Sequence, residues 1–329
     1  MTKQVRVGII GAGGIAGLHA EAYSQLGESV AVTAVSDVHP QAAEALSGRL
    51  GATPHADYRA MLASDVDAVD ICLPHHLHAE AIIAAARAGK HILCEKPLCV
   101  TLDEAAEVRQ AVADAGVTLM CAHNQLFLPA VVAAKQVISA GELGEVYEVR
   151  TNDAFRTSMT AESAGWRASA VTNGGGALID TGYHPSYLLL HLADGIPAQV
   201  TALLANHRLA FLDAEDSAQV LVRFAGGVIG NIATSWAYQP SPDTERFSVF
   251  GSNGSLRGGG EWLSVETIDG GSRTERFPEV DTFVAEIAHF VHCLTTGERP
   301  LHTEVEGSVV LSLIMAAYRS AAGGETASL

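Results

Sequence analysis

The 329-residue chain predicts an α/β fold in two parts: a parallel sheet covered on both faces by helices, then an α+β half on an open, mostly antiparallel sheet. Three observations predict it. Apolar β-branched runs alternate with helical stretches through residues 1–122. A glycine-rich turn joins the first such run to the first helix. Across 123–329 the pattern changes to consecutive strands separated by tight turns.

In the first part, Val5–Ile10 is a short buried strand, followed by Gly11–Gly14 and a helix over Ile15–Leu26. Val30–Ser36, Ala68–Leu73, Lys90–Cys94 and Thr118–Ala122 are further strands. Pro40–Leu50, His78–Ala88 and Leu102–Ala115 are the helices between them, and His55–Leu62 is a connector with a helical turn. In the second part, Pro129–Ser139 is helical and Val146–Asn152 is a strand. Gly174–Gly176 is expected to open a helix running to about Leu192, with Pro185 as a kink. Strands follow at Gln199–His207, Ser217–Phe224, Val228–Trp236, Arg246–Phe250, Leu263–Thr267 and Arg273–Phe277. Gly226-Gly227, Asn253-Gly254 and Gly270-Gly271 mark turns. Asp281–Leu294 and Glu304–Ala322 are terminal helices. An open sheet keeps one face uncovered, and a second copy of the chain is its usual cover, so a homodimer or homotetramer through this sheet is expected.

Composition narrows the function. Twenty Lys and Arg against 37 Asp and Glu give a net charge of −17, which repels phosphate backbones and anionic lipids. Nucleic acid and membrane surfaces are therefore not expected as partners. At 48% hydrophobic residues the chain can build a real core. No uninterrupted apolar segment has the length of a membrane span, and residues 1–6 lead into a strand rather than a signal sequence. The five cysteines form no C-x-x-C pair, which fits reduced thiols and a cytoplasmic protein.

Gly11-Ala12-Gly13-Gly14-Ile15-Ala16 fits G-x-G-x-x-A between a strand and a helix. Gly11 permits the tight turn, Gly13 lets a pyrophosphate approach the backbone, and Ala16 lets helix and strand pack. The amides of Gly14 and Ile15 at the helix start then face phosphate. Asp37 ends the second strand, 26 residues after Gly11, where a carboxylate accepts from ribose hydroxyls and repels a 2′-phosphate. Val38 and His39 bring no Arg or Lys to offset that repulsion, so NAD is expected over NADP.

Glu95-Lys96-Pro97 lies at the carboxyl end of its strand, where ligands bind in open α/β sheets, and Pro97 fixes the backbone there, with a cis bond one option. On spacing alone, Lys96 is more simply a surface lysine, as most lysines are. Asp180 and His184, four residues apart, share one face of the expected helix. There they form either an acid–base pair or a surface ion pair.

The start of the chain, Leu73-Pro74-His75-His76-Leu77-His78, Ala88–Leu98 with its Glu-Lys-Pro, and Gly174–His184 together resemble the glucose–fructose oxidoreductase and inositol dehydrogenase family. The likeness spans essentially the whole chain. It implies an N-terminal NAD-binding Rossmann domain (1–122) and a C-terminal substrate-binding and oligomerisation domain (123–329). It implies hydride transfer between NAD and a sugar or cyclitol carbon. By match, Lys96, Asp180 and His184 are catalytic: His184 the general base, Asp180 its orienting partner, Lys96 a donor to the substrate oxygen. Leu73, Pro74, His75 and His78 line the nicotinamide ribose, with Glu95 and Lys96 beside them. His75 departs from the family's usual Asn. The segment His123-Asn124-Gln125-Leu126-Phe127 lacks an Arg common in relatives.

A polyol needs several hydrogen-bonding groups, and His123, Asn124, Asp153, Arg156 and Arg167 are the candidates beside His184. Trp166 is expected as packing. His75, His76 and His78 are too close in sequence to converge on zinc, so no metal is expected. Two other functions share the fold. One is a glycoside hydrolase or epimerase that retains its NAD through a transient oxidation. The other is a non-catalytic NAD or sugar sensor.

Overall fold

In the computed structural model, residues 4–241 and 244–329 are described, and the chain forms two compact units. One comprises the residues up to Asn124 together with Asp281–Ser308. The other comprises Gln125–Val280 and Val309–Leu329.

The first unit runs β1 (Val5–Ile10), α1 (Gly14–Gln25), β2 (Val30–Ser36), α2 (Pro40–Leu50), β3 (Thr53–His55), α3 (Tyr58–Leu62), β4 (Ala68–Ile71), α4 (His78–Arg87), β5 (His91–Glu95), α5 (Leu102–Ala115) and β6 (Leu119–Ala122). Its six strands are all parallel, in the order β3-β2-β1-β4-β5-β6. β-branched and apolar residues fill both faces: Val7, Ile9, Val69, Ile71, Ile92 and Leu93 are completely buried. The strand order reverses between β1 and β4, which is where such sheets bind ligands. Local signals set the helix ends. Thr101 and Glu104 form a reciprocal capping box at the start of α5, and Gly116 ends it in the left-handed region.

The second unit contains α6 (Pro129–Ser139), β7 (Val146–Ala154), α7 (Ala170–Asn173), α8 (Tyr183–Ala193), β8 (Pro197–Ala205), β9 (Ser217–Phe224), β10 (Ile229–Ser235), β11 (Phe247–Gly251), β12 (Gly254–Gly258), β13 (Trp262–Thr267) and β14 (Ser272–Arg276). α9 (Thr282–Thr296) then returns to the first unit, α10 (Glu304–Gly323) begins there and ends in the second, and β15 (Ala327–Ser328) closes the sheet. The nine strands run β14-β13-β12-β11-β7-β10-β9-β8-β15. Among the described residues, only the β7–β10 pair of this sheet is parallel. β9 alternates strictly, with Ala218, Val220, Val222 and Phe224 buried and Gln219, Leu221 and Arg223 exposed. Leu203 and Ile229 join Leu221 on that open face by register.

The structure differs from the sequence reading at several places. Residues 281–308 belong to the first unit, because α9 packs Phe283 on His19 of α1. No helix starts at Gly174. Gly174 instead ends α7 in the left-handed region, turns follow to Gly182, and α8 begins at Tyr183. The glycines serve close packing: Gly175 has φ +147, and a Cβ on Gly175 or Gly176 would run into Tyr318 or the Glu215 backbone. Pro185 lies in the first turn of α8, where no helical N–H is needed, so it causes no kink there. β12 was hidden by the glycines at both its ends. α10 has the length and mean hydropathy (1.2) of a membrane span, yet half of it is buried and Val310, Leu311, Leu313 and Ile314 are core residues.

Candidate active site

The glycine turn sits at the carboxyl end of β1. Gly11 has φ +97, and a Cβ there would strike the Cys72 carbonyl, so only glycine fits. Gly13 and Gly14 face open space: a Cβ on either would meet nothing within 4 Å. α1 starts with no side-chain cap and no acidic residue in its first turn. Uncapped amides, the helix dipole and bare glycines fit a pyrophosphate. The Gly11 N–H donates to the Ser36 carbonyl (2.7 Å), and the Ala12 N–H donates to Asp37 Oδ2 (2.8 Å). Asp37 Oδ1 accepts from the His39 backbone N–H (2.8 Å), and His39 Nδ1 lies 3.1 Å away. Val38 is 82% exposed, and no Lys or Arg adjoins Asp37 in sequence. These residues fit an adenosine ribose without a 2′-phosphate.

The loop after β4 is tied to the Glu-Lys-Pro turn by His78. This ring is wholly buried, with Nδ1 2.7 Å from the Pro97 carbonyl oxygen and Nε2 2.8 Å from that of Leu73. Burial lowers its pKa, against the pull of both carbonyls. Both His78 ring nitrogens are thus engaged with the backbone of the two loops. His75 is buried with its ring 5.9 Å from that of His78, while Leu73 and Pro74 are half-buried. The Lys96–Pro97 bond is cis. Lys96 is half-buried, and its backbone N–H donates to Glu95 Oε2 (3.0 Å). Glu95 is buried, with Oε1 3.1 Å from His19 Nε2, so it works inside the unit.

In the second unit, Asp180 lies in the turns before α8 and not on a helix face shared with His184. It is buried and accepts from Arg167 Nε at 2.8 Å, with the Arg167 guanidinium stacked 4.1 Å from the Trp166 ring centre. His184 is half-buried in the first turn of α8. Its Nδ1 is 2.8 Å from Tyr187 Oη, which also accepts from the Gln125 N–H at 3.1 Å. Asp153 Oδ2 accepts from Gln125 Nε2 (3.0 Å) and Arg246 Nη1 (3.3 Å).

The other substrate candidates divide between the two units. Arg156 is exposed. His123 and Asn124 lie in the first unit: His123 is buried with Nδ1 2.7 Å from His302 Nδ1, and Asn124 Nδ2 donates to Thr282 Oγ1 at 3.1 Å. Sequence reasoning missed Tyr187, Gln125, Arg246 and His19. Tyr187 carried a signal, because i and i+3 on one helix are neighbours. His19 carried none, since its partners lie 51 and 76 residues away.

A parallel sheet in this order, with this turn and this carboxylate, defines an NAD-binding Rossmann domain, and the polar cluster of the second unit accompanies it in an oxidoreductase. The chain belongs to the GFO/IDH/MocA oxidoreductase family: residues 5–123 match "Oxidoreductase family, NAD-binding Rossmann fold" and residues 131–257 match "GFO/IDH/MocA C-terminal domain". It is 33% identical to a D-xylose 1-dehydrogenase (NADP(+)) of Haloferax volcanii, over 87% of this chain and 88% of that one. It is 31% identical to an inositol 2-dehydrogenase of Rhizobium meliloti, over 97% of each. A solved levoglucosan dehydrogenase in complex with NADH and levoglucosan superposes with a TM-score of 0.92 at 26% identity, covering 99% of each chain.

Proposed function

We propose that this protein is an NAD-dependent dehydrogenase that interconverts a secondary alcohol and a ketone on a sugar or cyclitol. Names of similar proteins support the substrate class: xylose, inositol and levoglucosan dehydrogenases are all among them. Gly11, Gly13, Gly14, Ile15 and Asp37 hold the dinucleotide, with Leu73, Pro74, His75 and Lys96 toward its nicotinamide end. NAD bound there supplies the hydride acceptor. Asp37, with no neighbouring cation in sequence, supports NAD over the NADP named for the xylose enzyme.

The observation that carries the chemistry is His184, fixed through Nδ1 by Tyr187 at 2.8 Å. Base work at Nε2 requires that Nδ1 carry a proton and donate it to Tyr187 Oη. His184 takes the hydroxyl proton as the alcohol is oxidised, and returns it in reduction. Lys96 is the candidate donor that stabilises developing charge on a substrate oxygen. Asp180 pairs with Arg167 at 2.8 Å and is the candidate orienting carboxylate of the site. Asp153, Arg156, Arg167, His123 and Asn124 are the hydroxyl-binding candidates. Steady accumulation of NADH with a polyol tests the reading, and NAD that cycles without accumulating would favour the retained-cofactor hydrolase instead.

The open face of the nine-stranded sheet, with Leu203 77% and Leu221 51% exposed, supports a homodimer or homotetramer. Light scattering on the purified protein tests this, and a monomer would refute it. The five cysteines are free and buried, and burial raises the Cys72 thiol to about 12, which supports a reducing, cytoplasmic setting.

A further inference from the structure

We propose that His19 is a positioning residue for Lys96: an imidazole bonded to two carboxylates that clamps Glu95 and, through it, the Glu95–Pro97 turn. The proposal rests on the catalytic reading of Lys96. Its basis is an ionic cluster entirely within the first unit and outside the proposed chemistry. His19 is completely buried on α1, one turn after the phosphate-binding start of that helix. Its Nδ1 is 2.8 Å from Asp70 Oδ2 on β4, and its Nε2 is 3.1 Å from Glu95 Oε1 on β5.

Both carboxylates also accept on their second oxygens: Asp70 Oδ1 from the Cys72 thiol at 3.5 Å, and Glu95 Oε2 from the Lys96 N–H at 3.0 Å. With Asp70 and Glu95 both ionised, each ring nitrogen donates and the ring is an imidazolium. Burial opposes that charge, but the Asp70 carboxylate holds the pKa well above the ordinary value.

The surrounding groups agree. Glu286 of α9 is fully buried, and neither carboxyl oxygen has a hydrogen-bond partner among the described residues. Burial first, then the Glu95 and Asp70 charges, push it well up despite His19, so it stays protonated. Tyr23 of α1 is buried near Asp70 and stays neutral. Phe283 of α9 covers the ring at 5.4 Å. His19, Asp70 and Cys72 offer ligand atoms within 4.8 Å of one another, but the ring nitrogens are already engaged and the thiol is raised to about 12. The cluster is thus a hydrogen-bonded clamp and not a cation site. It links α1, whose start meets phosphate, to the backbone of the reactive lysine.

Two measurements on the full-length protein test this. ¹⁵N NMR of histidine-labelled protein should find both His19 nitrogens protonated at pH 8; a lone-pair nitrogen signal would overturn the clamp. A double-mutant cycle should find that His19→Gln lowers kcat about 10–100-fold, from misplacement of Lys96. NAD affinity should change less than about twofold, and His19→Gln should cost nothing further in a Lys96→Ala background. An equal loss in that background would show general damage and overturn the positioning role. Unchanged turnover of Lys96→Ala alone would remove the lysine's assignment and the positioning role with it, whereas a neutral ring removes only the clamp.

Discussion

Lys96 and His184 are held by opposite means. Behind Lys96 stands a dry cluster of charges, His19 with Asp70 and Glu95, contributed by a helix and two strands of one unit. Behind His184 stands a neutral hydroxyl, Tyr187, one helical turn along α8 and itself bonded to the Gln125 amide. A donor that keeps its charge needs a rigid backbone beneath it. A base that gains and loses a proton is better served by a neutral partner that tolerates both states. The buried histidines of the two units differ likewise: the Asp70 carboxylate holds His19 well above the ordinary pKa, whereas burial and then Lys135 lower His191 to about 4.

Substitutions at the two groups give the largest expected effects. His184→Ala should lower kcat by about 10²–10⁴-fold with NAD affinity unchanged; normal turnover would break the comparison at its second half. Lys96→Met should cost about 10²–10³-fold in kcat, as loss of a donor to developing charge does; a change in KM alone would make it a binding residue. Asp37→Ser should weaken NAD binding about tenfold and narrow the preference over NADP, measured by titration of each dinucleotide.

Tyr187→Phe should lower kcat about three- to tenfold and shift the pH profile of kcat/KM, since the ring loses its partner while the packing stays. An unshifted profile would show that Tyr187 only packs. His191→Gln should act on stability alone. The folded state lowers the His191 pKa from 6.5 to about 4, so the unfolded chain binds the extra proton and stability falls as pH drops from 6.5 toward 4. The variant should lose up to about 3 kcal/mol of that pH dependence, followed by urea unfolding at several pH values.

Much of the first unit could be read in the sequence, because its signals are local. The Gly11–Ala16 turn, the runs at Val30–Ser36 and Pro40–Leu50, and the position of Glu95-Lys96-Pro97 each depend on neighbours in the chain. The second unit was less legible where glycine had two meanings. Gly174–Gly176 looked like a helix start, but it is a close approach to Glu215 and Tyr318, whose hydroxyl accepts from the Gly176 N–H at 3.2 Å. Asn253-Gly254 read as a turn, and the strand Gly254–Gly258 that follows it gave no signal because its glycine ends, which meet Glu266 and Phe247, hide it. The His19 cluster was invisible because no spacing rule joins residues 19, 70, 95 and 286. Only the parallel order of β1, β4 and β5, with α9 returning to the first unit, brings them together.

The central claim is that the protein reduces NAD at the expense of a polyol, with His184 as the base. NADH absorbance, followed with purified protein, NAD and a panel of inositols and aldoses, tests it most directly. The account predicts steady NADH formation with at least one of these polyols and its loss in His184→Ala. NAD that binds tightly while no polyol on the panel reduces it would contradict the claim.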